Sequence, residues 1–143
     1  MSYEIGSKLV KDTVEFNNYA YGIVLPVQRG NTGYFKQAFT SYDQARANLL
    51  NLLSTKRGER VMQPLFGTGL HSILFEPMDD AFEQKLQDTI IESVNYWLPY
   101  ITVKDIDVDM TDVMKDNYTS NLKIGFTVGT DITLQEITFT IQG

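Results

Sequence analysis

The sequence predicts an α+β fold, with two main helices packed on a small antiparallel sheet. Three observations carry that expectation. Apolar side chains recur at helical spacing in two stretches, near residues 42–57 and 78–98. The recurrence changes to every second residue in the last third of the chain. Apolar residues make up 43%, charged residues 21% and aromatics 12% of 143 residues, a composition that supports one sizeable core. It excludes a disordered chain, a collagen-like repeat and a coiled-coil rod.

Residues 1–40 read as an N-terminal arm or short strands packed on the domain that fills 41–143. Gly22, Pro26, Gly30 and Gly33 punctuate this segment, and Asn31-Thr32-Gly33 is a turn signal. Tyr19, Tyr21, Tyr34, Phe35 and Phe39 are its expected apolar anchors. The first helix is expected over about 42–57. Ser41 is its expected cap, with Gln44 three residues later completing a capping box. Ala45, Leu49, Leu52 and Leu53 form the apolar stripe. Lys56 and Arg57 suit the negative end of the helix dipole, and Gly58 suits the left-handed position after it.

The second helix is expected over about 78–98. Pro77 fits a first turn, where no intrahelical N–H bond is lost, and Asp79, Asp80 and Glu83 place negative charge at the positive end. Phe82, Leu86, Ile90, Val94 and Leu98 make the buried stripe, with Gln84, Gln87, Asp88 and Ser93 on other faces. Pro99 stops the helix.

Strands follow. Ile101 and Val103 alternate, then Ile106, Val108 and Met110 alternate one position out of phase. A slip of one residue reverses the buried face, so a bulge or break is expected near Lys104-Asp105. Segments 119–128 and 132–141 complete the sheet. Leu122, Ile124, Phe126 and Val128 form the cleanest pattern, Gly129-Thr130-Asp131 is a turn, and a second phase change falls at Gln135-Glu136.

The charge sum is 12 − 18 = −6, which disfavours a phosphate backbone as partner. With no cysteine, disulfides, thiolate metal sites and a cysteine nucleophile are excluded. There is no secretory h-region and no apolar run near a bilayer span of about 20 residues, so a soluble protein with no membrane partner is expected.

The chemical motifs are weak. Asp105-x-Asp107-x-Asp109 begins like a calcium loop, but Met110 stands where Gly is needed and Asp116 where a bidentate Glu is needed. Gly67-Thr68-Gly69 lacks the remainder of either phosphate-loop signature and reads as a tight apolar turn. His71 is the only histidine and builds no metal site alone. Glu76 with Asp79 or Asp80 is the one carboxylate group that suits glycoside hydrolysis, and helix-start decoration explains it more simply. No catalytic residue, metal or cofactor is expected.

The connector between the helices, residues 57–78, resists so plain an account. Val61, Met62, Leu65, Phe66, Leu70, Ile73, Leu74 and Phe75 make it unusually apolar. Such a segment either completes its own core or presents a patch to another chain. Its motifs are Arg57-Gly58-Glu59-Arg60, then Pro64-Leu65-Phe66-Gly67-Thr68-Gly69-Leu70, then Leu74-Phe75-Glu76-Pro77. In order and spacing these resemble the contractile-tail baseplate wedge family, the small sheath-initiating subunit of contractile phage tails, with relatives in type VI secretion baseplates. Met78 departs from the family pattern, which has Arg there.

The resemblance implies a non-enzymatic structural subunit of the virion tail baseplate, assembled in the host cytoplasm in multiple copies with six-fold symmetry. Residues 41–143 would be its wedge domain, with a sheet resembling the sheath handshake domain. It implies docking on the core bundle of the wedge through Phe75, Glu76, Pro77 and Met78, with Arg60, Phe66, Gly67 and Leu70 shaping the connector. It implies templating of the first sheath ring by strand exchange. Other wedge subunits and the tail sheath protein are the implied partners, with the tail tube or hub a further candidate. The rival readings are a lysozyme-like cell-wall glycosidase and a small regulatory adaptor of the same fold.

Overall fold

The computed structural model of the chain describes residues 19–31, 33–73, 80–109 and 119–142. The chain forms two compact units, Met1–Ala47 and Asn48–Gly143. In the first, strands β1 (Gly22–Ile23) and β2 (Gln37–Ala38) pair antiparallel, Gly22 opposite Ala38 and Ile23 opposite Gln37. Flanking backbone bonds extend the hairpin: Tyr21 N donates to Ala38 O at 2.8 Å, and Val24 N to Lys36 O at 3.0 Å. The expected aromatic anchors behave otherwise. Tyr19, Tyr21, Tyr34, Phe35 and Phe39 are exposed, and Ala38 is the buried apolar side chain of the hairpin. Two-residue strands create too little sheet face to cover aromatic rings.

Helix α1 (Ser41–Ser54) begins in the first unit and ends in the second. Its cap falls one residue before the expected Ser41. The Thr40 hydroxyl oxygen accepts from the Asp43 N–H at 3.1 Å, and the same hydroxyl donates to Asp43 Oδ2 at 2.8 Å. Thr40 thus takes the capping role expected of Ser41, and Asp43 holds the capping hydroxyl itself rather than the backbone N–H that a capping box would engage. The stripe Ala45, Leu49, Leu52 and Leu53 is buried as expected. The helix stops at Ser54, so Lys56 and Arg57 lie beyond its last turn. Gly58 does adopt a left-handed φ of 87°, but in the connector turn rather than next to the helix.

The second unit continues with α2 (Leu70–Ile73), α3 (Asp80–Trp97), β3 (Ile101–Asp109), β4 (Thr119–Val128) and β5 (Gln135–Gln142). On α3 the expected stripe Phe82, Leu86, Ile90, Val94 and Leu98 is buried throughout. Ser93 was expected on another face but is also buried. Its hydroxyl donates to Thr89 O at 2.8 Å, and this back-bond satisfies a polar atom in an apolar layer. Leu98 N still donates to Val94 O at 2.7 Å, and Pro99 ends the run. Pro77 and Asp79 lie outside the described residues.

The three strands form an antiparallel sheet in the order β3-β4-β5. Val103 faces Phe126 and Asp105 faces Gly125, so Lys104 is the extra residue of a bulge. This is the break that the phase change predicted. It lets Ile101 and Val103 share the inner face with Ile106 and Val108. Across the sheet, Ile106, Ile124 and Ile137 form one inner row and Val108, Leu122 and Phe139 another. Leu122, Ile124, Phe126, Ile137 and Ile141 are buried, and they supply the core together with the α3 stripe. The Gln87 amide donates to Ile106 O at 3.2 Å and ties α3 to β3 just past the bulge.

The second expected phase change is a loop rather than a bulge. Gly129 takes φ 59° and donates to Tyr100 O at 2.8 Å. Asp131 Oδ1 then accepts from the Thr133 N–H and hydroxyl at 3.1 and 2.9 Å, an Asx-type turn. Ile132 and Leu134 are therefore exposed loop residues, and β5 starts at Gln135. Leu134 lies over the outer face at Gly125, where a Cβ would stand 3.4 Å from its Cδ1.

Adjacent residues on α3 test this packing. Ile90→Ala should lower stability by about 2–5 kcal/mol. Ile91→Ala, on the exposed side, should change it by less than about 0.5 kcal/mol. Guanidinium unfolding midpoints of the two variants check the difference.

Candidate functional site

The connector is built outward from the end of α1. A helix leaves its last four carbonyls without intrahelical partners. Here the Thr55 hydroxyl donates to Asn51 O at 2.6 Å and the Ser54 hydroxyl to the same oxygen at 3.3 Å. The chain then turns back, and Thr68 supplies two further donors. Its hydroxyl reaches Leu53 O at 3.4 Å, and its N–H reaches Thr55 O at 3.0 Å. Lys56 and Thr68 form an isolated parallel bridge. Thr68 is buried, as is Leu70 two residues on.

This return path requires Gly67. Its φ is 117°, and a Cβ there would collide with the Thr55 carbonyl. The Gly-Thr-Gly run is accordingly the tight turn expected of it, with Thr68 as the capping donor. Between the two crossing points the loop closes on itself. Gly58 N donates to Pro64 O at 2.7 Å, Glu59 N to Lys56 O at 3.1 Å, and Lys56 N to the Glu59 carboxylate at 3.0 Å.

Arg60 joins the loop to the helices. Its guanidinium donates to Asn51 Oδ1 on α1 at 3.0 Å and lies 4.0 Å from the centroid of the Phe66 ring. The Phe66 ring meets Trp97 edge-on, with centroids 5.1 Å apart, and Trp97 meets Tyr96 at 4.9 Å. Asn51, Arg60, Phe66, Trp97 and Tyr96 thus form one continuous line from α1, through the connector, to the end of α3.

The base of the connector is therefore fixed and buried, whereas its tip is not. Val61 is 93% exposed, Met62 92% and Leu65 73%. The apolar connector does both things its sequence allowed: Leu70 and Ile73 complete the core, and Val61, Met62 and Leu65 face outward. Of the candidate docking residues, Arg60, Phe66, Gly67 and Leu70 converge on this segment. Phe75, Glu76, Pro77 and Met78 lie outside the described residues. Sequence reasoning missed Thr68, Asn51 and Trp97. A threonine between two glycines near a helix end was the available signal for the first. Nothing local points to the other two.

His71 sits on α2 beside this base, half-buried, and its Nδ1 is buried with no hydrogen-bond partner among the described residues. Burial, and then the nearby Lys56, hold its pKa below 6.5, while Glu59 acts in the opposite direction.

Two outcomes follow from this geometry. In a double-mutant cycle, Arg60→Met and Phe66→Leu should show a coupling of about 0.5–1 kcal/mol, measured by denaturant unfolding. For His71, the unfolded chain takes up a proton near pH 6.5 while the folded chain resists it, so its contribution to stability is present above pH 6.5 and lost as pH falls below it. His71→Gln should therefore be less sensitive than the parent between pH 7.5 and 5, read from paired unfolding curves.

Two solved structures share this fold. A Geobacter sulfurreducens protein carrying a tail-lysozyme name superposes with a TM-score of 0.64 at 20% identity, over 72% of this chain and 91% of that one. A chain of the anti-feeding prophage baseplate superposes with a TM-score of 0.56 at 18% identity, over 84% of this chain and 82% of that one. At such identities the likeness is one of fold. No curated protein sequence gives a significant match. Residues 42–133, from the start of α1 to just before β5, match the family described as baseplate wedge protein gp25. The chain belongs to that family of structural proteins of contractile-tail baseplates.

Proposed function

We propose that this chain is a non-catalytic wedge subunit that docks on neighbouring baseplate subunits through its connector and templates the first ring of the tail sheath by strand exchange. The observation that carries the reading is the contrast within the connector. Its base is held by Thr68, Gly67 and the Arg60–Phe66–Trp97 contacts, while Val61, Met62 and Leu65 stand in solvent. Holding exposed apolar side chains on a rigid base lowers the ordering cost of burying them against a partner. Family membership supplies the setting, and the likeness in fold to a chain of the anti-feeding prophage baseplate supports association with other wedge subunits.

Within this reading Phe75, Glu76, Pro77 and Met78 continue the docking surface beyond the described residues. Arg60 and Phe66 act through the connector, and Gly67 and Leu70 fix its path. A three-stranded sheet with two borders is the element that can accept a strand from a sheath subunit. The glycosidase reading depends on Glu76 paired with Asp79 or Asp80, a set that falls largely outside the described residues, and the adaptor reading rests on fold alone.

The test is capture by the purified wedge complex of the same tail. Val61→Asp with Met62→Asp should lower capture by at least about tenfold, with the circular dichroism spectrum and unfolding midpoint close to the parent's. Undiminished capture would refute connector docking.

A further inference from the structure

We infer that the turn of the β1–β2 hairpin is an interaction surface, and that its occupant is the outer sheet face of a second copy of this chain, met head to tail. The contact uses neither the connector nor a border of the sheet, so it stands apart from the reading above.

The hairpin differs in chemistry from the chain that carries it. Residues 19–40 hold two cations, Arg29 and Lys36, and no acid, in a chain whose net charge is −6. Both cations are exposed, and neither side chain has a carboxylate partner among the described residues. Apolar side chains stand around them: Tyr34 is 90% exposed and Val27 60%, and Phe35 is exposed as well. Lys36 N donates to Gln28 O at 2.8 Å, so Arg29 and Lys36 lie near one another across the turn. Tyr, Phe and Arg are the side chains that interfaces concentrate, and a free surface seldom groups them.

The outer face of the sheet is the complement in charge and in polarity. Asp105, Asp107 and Asp109 stand exposed at alternate positions of β3, without a cation partner among the described residues. Lys123 is already engaged, because it pairs with Glu136 at 3.1 Å. Leu134 flanks these charges and is 52% exposed, and Ile132, two residues before it, is 92% exposed. Between them lies a notch of about 210 Å³, lined by Asp105, Asp107, Lys123, Gly125, Leu134 and Glu136. Position 125 leaves it open by having no side chain. A Cβ there would stand 3.4 Å from Leu134 Cδ1 and 3.6 Å from Asp105 Cβ.

Spacing brings the two surfaces together. Carboxylates at alternate strand positions repeat about every 6.7 Å, and residues facing one another across a hairpin are about 5 Å apart, so two cations on the turn can meet two successive aspartates. The stem of Arg29 lies along Leu134 in the notch, with its guanidinium between Asp105 and Asp107. Val27, Tyr34 and Phe35 then cover Leu134 and Ile132. A phosphate backbone would match the cations alone and would be repelled by the rest of an acidic chain. The two patches are different surfaces, so the contact is heterologous: each copy donates a hairpin and receives one.

Sedimentation velocity on the full chain tests this. Between about 10 and 500 µM the mean mass should rise with concentration, and raising salt from about 50 to 500 mM should weaken association at least about tenfold. Arg29→Glu with Lys36→Glu reverses the hairpin. Asp105→Lys with Asp109→Lys reverses the face, at positions whose cross-strand neighbours, Gly125 and Asn121, carry no charge. Each double variant alone should stay monomeric, with an unfolding midpoint close to the parent's. Their equimolar mixture should associate within about threefold of the parent's affinity, because each reversed patch then meets its complement. Arg29→Gln with Lys36→Gln, which adds no repulsion, should weaken association at least about tenfold. A parent that stays monomeric throughout would overturn the inference. Association retained by either reversed variant, or a mixture as monomeric as its components, would do the same. A monomeric parent whose hairpin is instead needed for capture by another tail subunit would assign the surface to that subunit and overturn the second copy as occupant.

Discussion

The carbonyls at the end of α1 impose the constraint on which the connector depends. They need donors, and the helix cannot provide them. The chain meets that need by leaving the helix at Ser54, running outward for a dozen residues and returning so that Thr68 can donate to Leu53 and Thr55. Only a residue without a side chain can make the return at position 67, because the Thr55 carbonyl occupies the place of a Cβ. Both ends of the excursion are pinned at the same helix terminus, and its middle projects. Val61, Met62 and Leu65 stand exposed there, while Arg60 ties the loop to Asn51 and Phe66.

The sheet follows a different logic. One extra residue, Lys104, allows two short alternating runs to share a buried face that a regular strand would have split between both faces. The same bulge roughens one border, and the helix adds Gln87 to it. Gly125 leaves a notch on the outer face, over which Leu134 folds before β5 begins. The two borders of one small sheet are consequently unlike in charge and regularity, although both flank the same central strand.

Much of this was legible in the sequence wherever periodicity and burial coincide. The Phe82–Leu98 stripe, the Ala45–Leu53 stripe and the Lys104 bulge are consequences of side-chain spacing alone. Errors arose where two residues offered the same chemistry one step apart. Thr40 and Ser41 are equally good caps by type, and the acidic partner Asp43 decided between them. Ile132 and Leu134 kept the alternation of a strand, but the Asp131 side chain turned the backbone there into a loop. Ser93 looked polar and was buried, because a helix can satisfy a hydroxyl with its own carbonyl. The motif order of the connector pointed to the right family, yet which of its apolar residues were core and which were surface depended on Asn51 and Trp97, contacts distant in sequence.

The unbroken ladder between β4 and β5 has a mechanical consequence. A load drawn along β5 is shared by eight residue pairs at the same time, whereas a load directed across the strand would part them one after another. The pairing of these two strands is therefore stiff to tension parallel to them and compliant to peeling.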